Sequence, residues 1–390
     1  MRYQSSMFAQ ALQLLDKDLF RSAVDEFDAE KWSKGFTCWG QLVCMLYCQL
    51  AQAKSLIEIV CGLKSCVGKL NHLGMSKSPP KSTLSYANRN RPWEPYRALF
   101  LSLLEKCRFA AKGQKRKFRF KNKLYHFDAS LVEVCADMFD WAKYRKTKGA
   151  VKLHLILDHD GYLPEFAWIT DGKTHEVRIA RLMRFAPGTI ICFDRGYTDY
   201  DLFSRWNAGG VYFVTKLKSN ALFEVLDERV PPMNSGVVSD QLIKLEGNGM
   251  ILRKVTYWDE ESEDFVSLIC NKLDLGATTI VKIQTDRWQI EIFFRNLKQH
   301  FRIKTFVGTN ANAVHIQIWT ALIAMLLVKY LLFKSRLDWS LSNFIALFRL
   351  NLFTYRHLWD WIDNPYGTPP VESDMWQPML TGLAVGQHTG

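Results

Sequence analysis

The chain has 390 residues, 48% of them hydrophobic, and a formal net charge of +12. This length is sufficient for two or three domains with hydrophobic cores, and the positive charge indicates a polyanionic partner, either nucleic acid or an anionic membrane surface. Nine scattered cysteines without a Cys-x-x-Cys pair exclude a small disulfide framework and favour a reducing compartment, the cytoplasm. The first ten residues lack the apolar stretch of a secretory signal peptide.

The most hydrophobic segment is 314–333, VHIQIWTALIAMLLVKYLLF. It contains His315, Gln317 and Lys329, and its uncharged apolar part is shorter than the ~20 residues that a membrane-spanning helix requires. We therefore expect a helix that is buried in the protein core, and no membrane partner.

Residues 1–110 are predicted to form an all-helical N-terminal domain, because apolar residues recur there at spacings of three and four. After two consecutive prolines, Ser82 is expected to cap a short helix whose end carries Arg89 and Arg91. This segment is either a helix-turn-helix-like reader of DNA or an ordinary helical connector with solvated arginines.

Residues 112–123, KGQKRKFRFKNK, form a basic run that includes Phe118 and Phe120. One interpretation is contact with DNA phosphates. The other is a solvated linker or edge strand, the usual state of a charge run. The high net charge of the chain favours phosphate contact.

An α/β pattern occupies residues 111–218. The segment KLYHFDAS is predicted to be a strand that carries Asp128 at its end, and VKLHLILD and LPEFAWIT are predicted to form a hairpin around the turn Asp160-Gly161. The short apolar segment TIICFD, typical of a strand in a sheet interior, ends at Asp194.

The remainder of the chain divides by composition into three parts. Residues 219–275 alternate short β-like runs with Pro and Gly, and are predicted to be a β-rich insertion. Residues 276–355 are predicted to be the helical C-terminal part of the core, and the Pro- and Gly-rich residues 356–390 a loose tail.

The segment 284–302, QTDRWQIEIFFRNLKQHFR, is predicted to be part of one long helix that Thr278 or Thr279 caps. Its apolar residues form a stripe that faces the core. A second stripe, roughly 80° wide at ~100° per residue, places one carboxylate among four cations. Its members are Arg287, Glu291, Arg295, Lys298 and Arg302. This stripe is either a solvated face with i,i+4 ion pairs or a functional surface.

Three carboxylates hold informative positions: Asp128 and Asp194 at strand ends, and Glu291 on a helix. Taken singly, Asp128 could be a helix cap, Asp194 a turn former before Gly196, and Glu291 half of a surface ion pair. Side chains at the ends of sheet strands converge on sites, and a set of oxygen ligands suits the hard cations Mg²⁺ and Mn²⁺. Two such ions ~3.5–4 Å apart promote displacement at a phosphodiester.

The order of these acids, on a strand, a later strand and a helix, is the ribonuclease-H-like arrangement. The predicted fold class is therefore α/β, with a ribonuclease-H-like catalytic core, a β-rich insertion and a preceding all-helical N-terminal domain.

Two segments, FDRGY at 193–197 and RWQIEIFFRNLKQHFRIKTFVGT at 287–309, resemble the DDE-type transposases of bacterial insertion sequences, and in particular the insertion-sequence-four family. The resemblance extends over nearly the whole chain. Five residues match the two aspartates of that family and the Arg, Glu and Lys of its Tyr-x₂-Arg-x₃-Glu-x₆-Lys signature. They are Asp128, Asp194, Arg287, Glu291 and Lys298.

This resemblance implies a transposase that cleaves DNA at the ends of an insertion sequence and transfers the strands into target DNA. It implies that Asp128, Asp194 and Glu291 bind two Mg²⁺ ions, for which Mn²⁺ can substitute. The implied partners are double-stranded DNA, both terminal inverted repeats and target, and a second copy of the chain in a homodimer that pairs two DNA ends. Arg287 and Lys298 are implied to hold phosphate and orient the strand.

One position departs from the family signature, because Gln284 stands where the family has Tyr. A Gln amide can donate to a phosphate oxygen but lacks the aromatic ring. Arg195 and Tyr197, beside the second aspartate, either help at the site or shape the turn. The predicted DNA-binding residues are Gln284, Arg287, Arg295, Lys298, Arg302, Arg195 and Tyr197. The departure leaves an alternative function, a catalytically silent DNA-binding protein or transposition inhibitor derived from a transposase.

Overall fold

A computed structural model describes residues 5–31, 33–66, 68–112, 117–135, 143–145 and 148–367. Two sequence predictions extend outside these ranges. They concern the middle of the basic run 112–123 and most of the tail 356–390.

The first part of the chain is helical, as predicted. Its first four helices begin at a Ser, Asp or Thr side chain that accepts a hydrogen bond from the backbone N–H three residues later. The helices are α1 Met7–Leu12, α2 Lys17–Glu26, α3 Cys38–Ala51, α4 Leu56–Ser65, α5 Lys81–Asn90 and α6 Glu94–Ala111.

Helix α5 shows that the predicted Ser82 cap is wrong. The helix begins at Lys81, and Pro80 occupies the N-cap position without a side-chain cap, so Ser82 already lies in the first turn. Arg89, at the end of the helix, is exposed. The Arg91 guanidinium instead donates to the Ser33 hydroxyl (2.8 Å), which ties this arginine to the preceding helices as a connector does.

Among the described residues, ten strands form a single sheet. The six strands that precede the insertion are β1 Leu124–Cys135, β2 Lys143–Arg145, β3 Lys148–Asp158, β4 Leu163–Asp171, β5 Ile190–Phe193 and β6 Tyr212–Lys216. The predicted hairpin is confirmed as β3 and β4, which pair antiparallel across a turn where Gly161 has φ of +81°.

The central strand order is β4-β3-β1-β5-β6. Strand β3 pairs antiparallel with both β1 and β4, whereas β5 lies parallel to β1 and β6 parallel to β5. Three antiparallel strands followed by two parallel ones, with the first strand in the middle, is the ribonuclease-H-like topology. The predicted fold class is confirmed.

The predicted β-rich insertion extends this sheet. Its strands are β7 Phe223–Arg229, β8 Val237–Leu245, β9 Ile251–Asp259 and β10 Asp264–Cys270. Strand β10 pairs antiparallel with β6, and β9, β8 and β7 follow outward in order. The insertion therefore continues the catalytic sheet at the β6 edge.

Helices cover both faces of the sheet. They are α7 Glu176–Leu182, α8 Tyr200–Ala208, α9 Ala277–Asp286, α10 Trp288–His300, α11 Ala311–Lys334, α12 Leu341–Asn351 and α13 Leu358–Asp363. Residues of α7 and α8 pack with Phe127, Phe193 and Phe213 on one face. The opposite face carries α10 and α11, together with helices from residues 1–110, in one continuous core. The N-terminal helices thus share their core with the C-terminal helices.

Helix α11 passes through the middle of that core. It is long and apolar enough to cross a membrane, but 78% of its most apolar window is buried inside the protein. The prediction of a buried core helix is confirmed.

Candidate active site

Asp128 and Asp194 occupy equivalent positions on neighbouring parallel strands. Phe127 of β1 pairs with Phe193 of β5, so each aspartate directly follows one member of this pair. Because adjacent strands lie ~4.8 Å apart, the two aspartates lie side by side at the point where β5 ends. Asp194 directly follows the end of β5, as predicted. Asp128 instead lies inside β1, which continues to Cys135, so its predicted position at a strand end is wrong. The strand continues because its residues beyond Asp128 remain paired with β3.

The helix that carries Glu291 is interrupted, which the sequence did not predict. Helix α9 ends at Asp286 and α10 begins at Trp288. Arg287 lies between them in a tight turn, where its N–H bonds to the Gln284 carbonyl three residues back (3.2 Å). Helix α9 begins at Ala277 after Gly276 without a side-chain cap, so the predicted cap at Thr278 or Thr279 is also wrong.

Arg287 joins the first aspartate to the glutamate. Its Nη2 lies 2.7 Å from Glu291 Oε1 and its Nη1 lies 3.5 Å from Asp128 Oδ2. The Arg287 side chain is only 9% exposed, so this cation is shared between two carboxylates in a partly dehydrated environment. Asp128 and Glu291, 163 residues apart in the sequence (291 − 128), therefore converge on one point.

Burial dominates the electrostatics of Asp128. Desolvation raises its pKa to about 6, although the Arg287 charge and the Ala129 backbone N–H act to lower it. The nearby Glu291 and Glu176 carboxylates raise the pKa further. A buried carboxylate among other carboxylates requires a cation to remain ionised, and this is the environment that favours metal binding.

An open cleft of about 410 Å³ gives access to these acids. Asp128 and Glu291 line it together with three cationic side chains, Arg295, Lys298 and Lys304. Lys304 follows α10 and was missed, because the helical pattern used to find the charged stripe does not extend into a loop.

Lys298 contacts the strand that carries Asp128. Its Nζ donates to the Ser130 hydroxyl (2.7 Å) and to the Leu131 carbonyl (2.8 Å). Lys298 therefore fixes β1 to α10 immediately beyond the aspartate, in addition to lining the cleft. Arg295, one helical turn earlier, is exposed.

Gln284 does not reach this cleft. It is 4% exposed, and its Oε1 accepts a hydrogen bond from the Cys192 Sγ of β5 (3.4 Å). The structure therefore contradicts a direct phosphate contact by Gln284, because the side chain lies on the inner face of α9 against the sheet.

Arg302 also lies away from the predicted stripe. Helix α10 ends at His300, and the Arg302 Nε donates to the Gln52 carbonyl (2.9 Å) at the end of α3. The predicted position of Arg302 is wrong because it assumed that the helix continued through residue 302.

The two residues after Asp194 differ in their surroundings. The Asp194 Oδ1 accepts the Arg195 N–H (2.8 Å), and the Arg195 side chain is exposed. Tyr197 is 1% exposed and packs on Phe127 with ring centroids 4.4 Å apart. The structure contradicts DNA contact by Tyr197, which forms part of the turn, and leaves Arg195 able to reach DNA.

The donor set fits a hard divalent cation. Asp128 and Glu291 supply carboxylate oxygens at one cleft, they already share a cation in Arg287, and Asp194 adjoins Asp128 through the strand pairing. Oxygen-only ligands of this kind suit Mg²⁺ and Mn²⁺. The fold and this acidic cleft together define a ribonuclease-H-like enzyme of nucleic-acid phosphodiesters.

The chain belongs to the transposase DDE domain family, whose model matches residues 120–327, more than half of the sequence. Residues 3–76 match a domain of unknown function (DUF4372). The predicted resemblance to DDE transposases of bacterial insertion sequences is confirmed, and the function of the protein is DNA transposition. It is accordingly an enzyme of the nuclease and strand-transferase class.

Individual proteins show the same similarity. The putative transposase y4zB of Sinorhizobium fredii is 28% identical over 310 residues, which cover 77% of this chain and 84% of that protein. The probable transposase for insertion sequence element IS5377 of Geobacillus stearothermophilus is 25% identical over 285 residues, 72% of this chain and 74% of that protein. A solved structure of the piggyBac transposase synaptic complex with hairpin DNA is 11% identical, with a TM-score of 0.45 over 95% of this chain and 84% of that chain.

Proposed function

We propose that the protein cleaves DNA at the ends of its own insertion sequence and joins those ends to target DNA, with Asp128, Asp194 and Glu291 holding two Mg²⁺ ions. Mn²⁺ is expected to substitute. The observation that carries this proposal is the convergence of Asp128 and Glu291 on Arg287 at an open cleft, beside Asp194. When bound, the ions supply an activated water and stabilisation of the leaving oxygen.

The protein side chains position the ions and the DNA. The three acids hold the ions, and Arg287 limits the repulsion between Asp128 and Glu291. Arg295 and Lys304 line the cleft as cations and are placed to contact phosphates, which sets the register of the DNA without reading its sequence. The basic character of the whole chain, +12, adds long-range attraction for DNA.

The proposed partners are double-stranded DNA, as terminal inverted repeat and as target, and a second copy of the chain. Two copies would bring two DNA ends together for joining. The proposed compartment is the bacterial cytoplasm, consistent with nine cysteines and with the absence of a disulfide among the described residues.

The site does not support the alternative function, a catalytically silent DNA-binding protein derived from a transposase. That alternative was based on the departure at Gln284, and this side chain is buried against Cys192, away from the cleft. The two acids that line the cleft, Asp128 and Glu291, are present, as is the adjoining Asp194.

The test is cleavage of a labelled DNA that carries the flanking ends of the gene, with Mg²⁺ and with EDTA. Glu291→Gln and Asp128→Asn should abolish cleavage and retain DNA binding, because both remove a metal ligand and no phosphate contact. Glu228→Gln is the matched control, since Glu228 is an exposed carboxylate on β7 of the insertion. Wild-type cleavage by either site variant would refute the triad, and specific binding without cleavage under any metal would favour the silent descendant.

A further inference from the structure

A second cluster of polar side chains lies behind the acidic cleft, centred on Asp286. The Asp286 Oδ2 lies 3.0 Å from His126 Nε2 and 2.7 Å from His159 Nδ1. Its Oδ1 accepts hydrogen bonds from the Tyr162 hydroxyl (2.9 Å) and the Lys117 Nζ (2.6 Å). We call these five residues the Asp286 hub. The Asp286 side chain is completely buried.

The hub residues come from β1, which carries Asp128, from the end of α9, next to the helix that carries Glu291, and from loops beside them. His126 lies two residues before Asp128 on β1, so both side chains point to the same face of the sheet. Asp286 is the last residue of α9 and directly precedes Arg287. His159 and Tyr162 belong to the β3–β4 turn. A single hydrogen bond, between His126 and Asp286, therefore connects β1 to the α9–α10 junction.

This connection is energetically significant because a buried carboxylate is costly unless it is fully hydrogen-bonded. Burial alone would raise the pKa of Asp286, but hydrogen bonds from His126, His159 and Lys117 hold it well below its usual range. Loss of one donor leaves the carboxylate under-satisfied, and the α9–α10 junction can then move away from β1.

We propose that the Asp286 hub is a positioning device that sets the spacing of Asp128 from Arg287 and Glu291. The inference rests on the proposed metal-dependent function and deepens it. Its members are positioning residues, since none of them contacts the cleft. They act by holding two elements together so that the acids meet the narrow geometric demand of Mg²⁺, which requires near-ideal octahedral coordination.

The same atoms could be considered as a metal site, because ligand atoms of His126, His159 and Asp286 all lie within 4.8 Å of one another. Two observations favour a hydrogen-bonded cluster over a metal site. Both ring nitrogens are already at hydrogen-bond distance from one oxygen, and the Lys117 ammonium on the other oxygen places a positive charge where a metal ion would be repelled.

The test compares variants at His126 and His159 that lose a hydrogen-bond donor with variants that retain one. His126→Leu and His159→Leu remove a donor. His126→Gln retains a nitrogen near the Nε2 position, and His159→Asn retains one near Nδ1. His154→Leu is the matched control, because His154 is as completely buried as His126 and its Nε2 lies 3.0 Å from Thr170 Oγ1 rather than near Asp286. Tyr162→Phe serves as a milder loss if a Leu variant does not fold.

Three measurements are made on each full-length protein: the melting temperature, Mg²⁺ affinity by calorimetry without DNA, and single-turnover cleavage. We expect both Leu variants to weaken Mg²⁺ binding and slow cleavage on the order of tenfold, the effect typical of residues that orient metal ligands. The Gln and Asn variants should recover most of this loss. The control should lower only the melting temperature.

Two results would overturn the proposal. One is a loss of Mg²⁺ affinity in the Leu variants no greater than that of His154→Leu, which would make the hub merely structural. The other is a tightly bound divalent ion in the purified protein that both Leu variants lose, which would make the hub a metal site. Calorimetry separates this test from the proposed function, since wild-type protein that binds Mg²⁺ but never cleaves DNA would refute the function alone.

Discussion

Replacing Arg287 by Met should destabilise the protein in a way that Mg²⁺ reverses. Arg287 is the cation shared by Asp128 and Glu291, at 3.5 and 2.7 Å. A Met side chain of similar length fills the space but leaves two carboxylates facing each other without a positive charge. The variant therefore isolates the electrostatic contribution of the arginine.

The expected size follows from the burial of the three groups. Removing one partner of a buried ion pair costs roughly 3–5 kcal/mol. The Glu291 side chain is 34% exposed, so solvent screening places the loss at the lower end, about 3 kcal/mol. With an unfolding entropy of about 2.1 cal/mol/K per residue, a chain of 390 residues has roughly 0.8 kcal/mol/K, and its melting temperature should fall by about 4 °C.

The assay is thermal unfolding in EDTA and in saturating Mg²⁺. Because Asp128 and Glu291 no longer share their charge with Arg287, Mg²⁺ should bind the variant more tightly and raise its melting temperature more than that of the wild type. Arg253→Met is the control, since it breaks a more deeply buried pair with Asp240 (2.6 Å) in the insertion, away from the cleft. It should lose at least as much stability, without recovery in Mg²⁺.

An equal Mg²⁺-induced shift in Arg287→Met and wild type would refute the reasoning. It would mean that the ion and the guanidinium do not share the same carboxylates.

Three further predictions concern single features of the cleft and of the turn that follows Asp194. Lys298→Met removes the bond to Ser130 that fixes β1, and single-turnover cleavage should slow on the order of tenfold; an unchanged rate would contradict this role. Arg295→Gln combined with Lys304→Gln should reduce the slope of log affinity for DNA against log salt by roughly 1.8, about 0.9 for each phosphate contact; binding curves with the wild-type slope would remove both residues from the interface. Tyr197→Phe should raise the free energy of unfolding by roughly 1 kcal/mol, because its buried hydroxyl has no hydrogen-bond partner among the described residues; weaker DNA binding would instead restore a DNA contact.

Local sequence signals were sufficient to predict the strands and the insertion. The β3–β4 hairpin follows from alternation around a Gly turn, and the strand β5 from a short apolar run that ends at Asp194. The acids could be found because their positions relative to these elements are also local. The family signature then added Glu291, which periodicity alone left as one half of a possible ion pair.

The predictions that the structure contradicts have a different cause, namely contacts between distant parts of the chain. Periodicity shows that α9 has a buried face but not which neighbour covers it, so the burial of Gln284 against β5 was missed. Arg302 was assigned to a helix that ends two residues earlier. The bond between His126 and Asp286 joins residues 160 positions apart, and neither residue stands out in its own segment.

The break between α9 and α10 explains why hub and cleft are linked. Consecutive helical residues diverge by ~100°, so Asp286 and Arg287 must face different neighbours, the hub and the acids respectively. Glu291 lies four residues after Arg287 and shares its face. A displacement of the junction therefore moves Arg287 and Glu291 together relative to Asp128, which is fixed on β1. Substitutions at the hub should consequently change the spacing between the strand acid and the helix acid, whereas Arg287→Met changes only the charge between them, and the two classes of variant should have opposite effects on Mg²⁺ affinity.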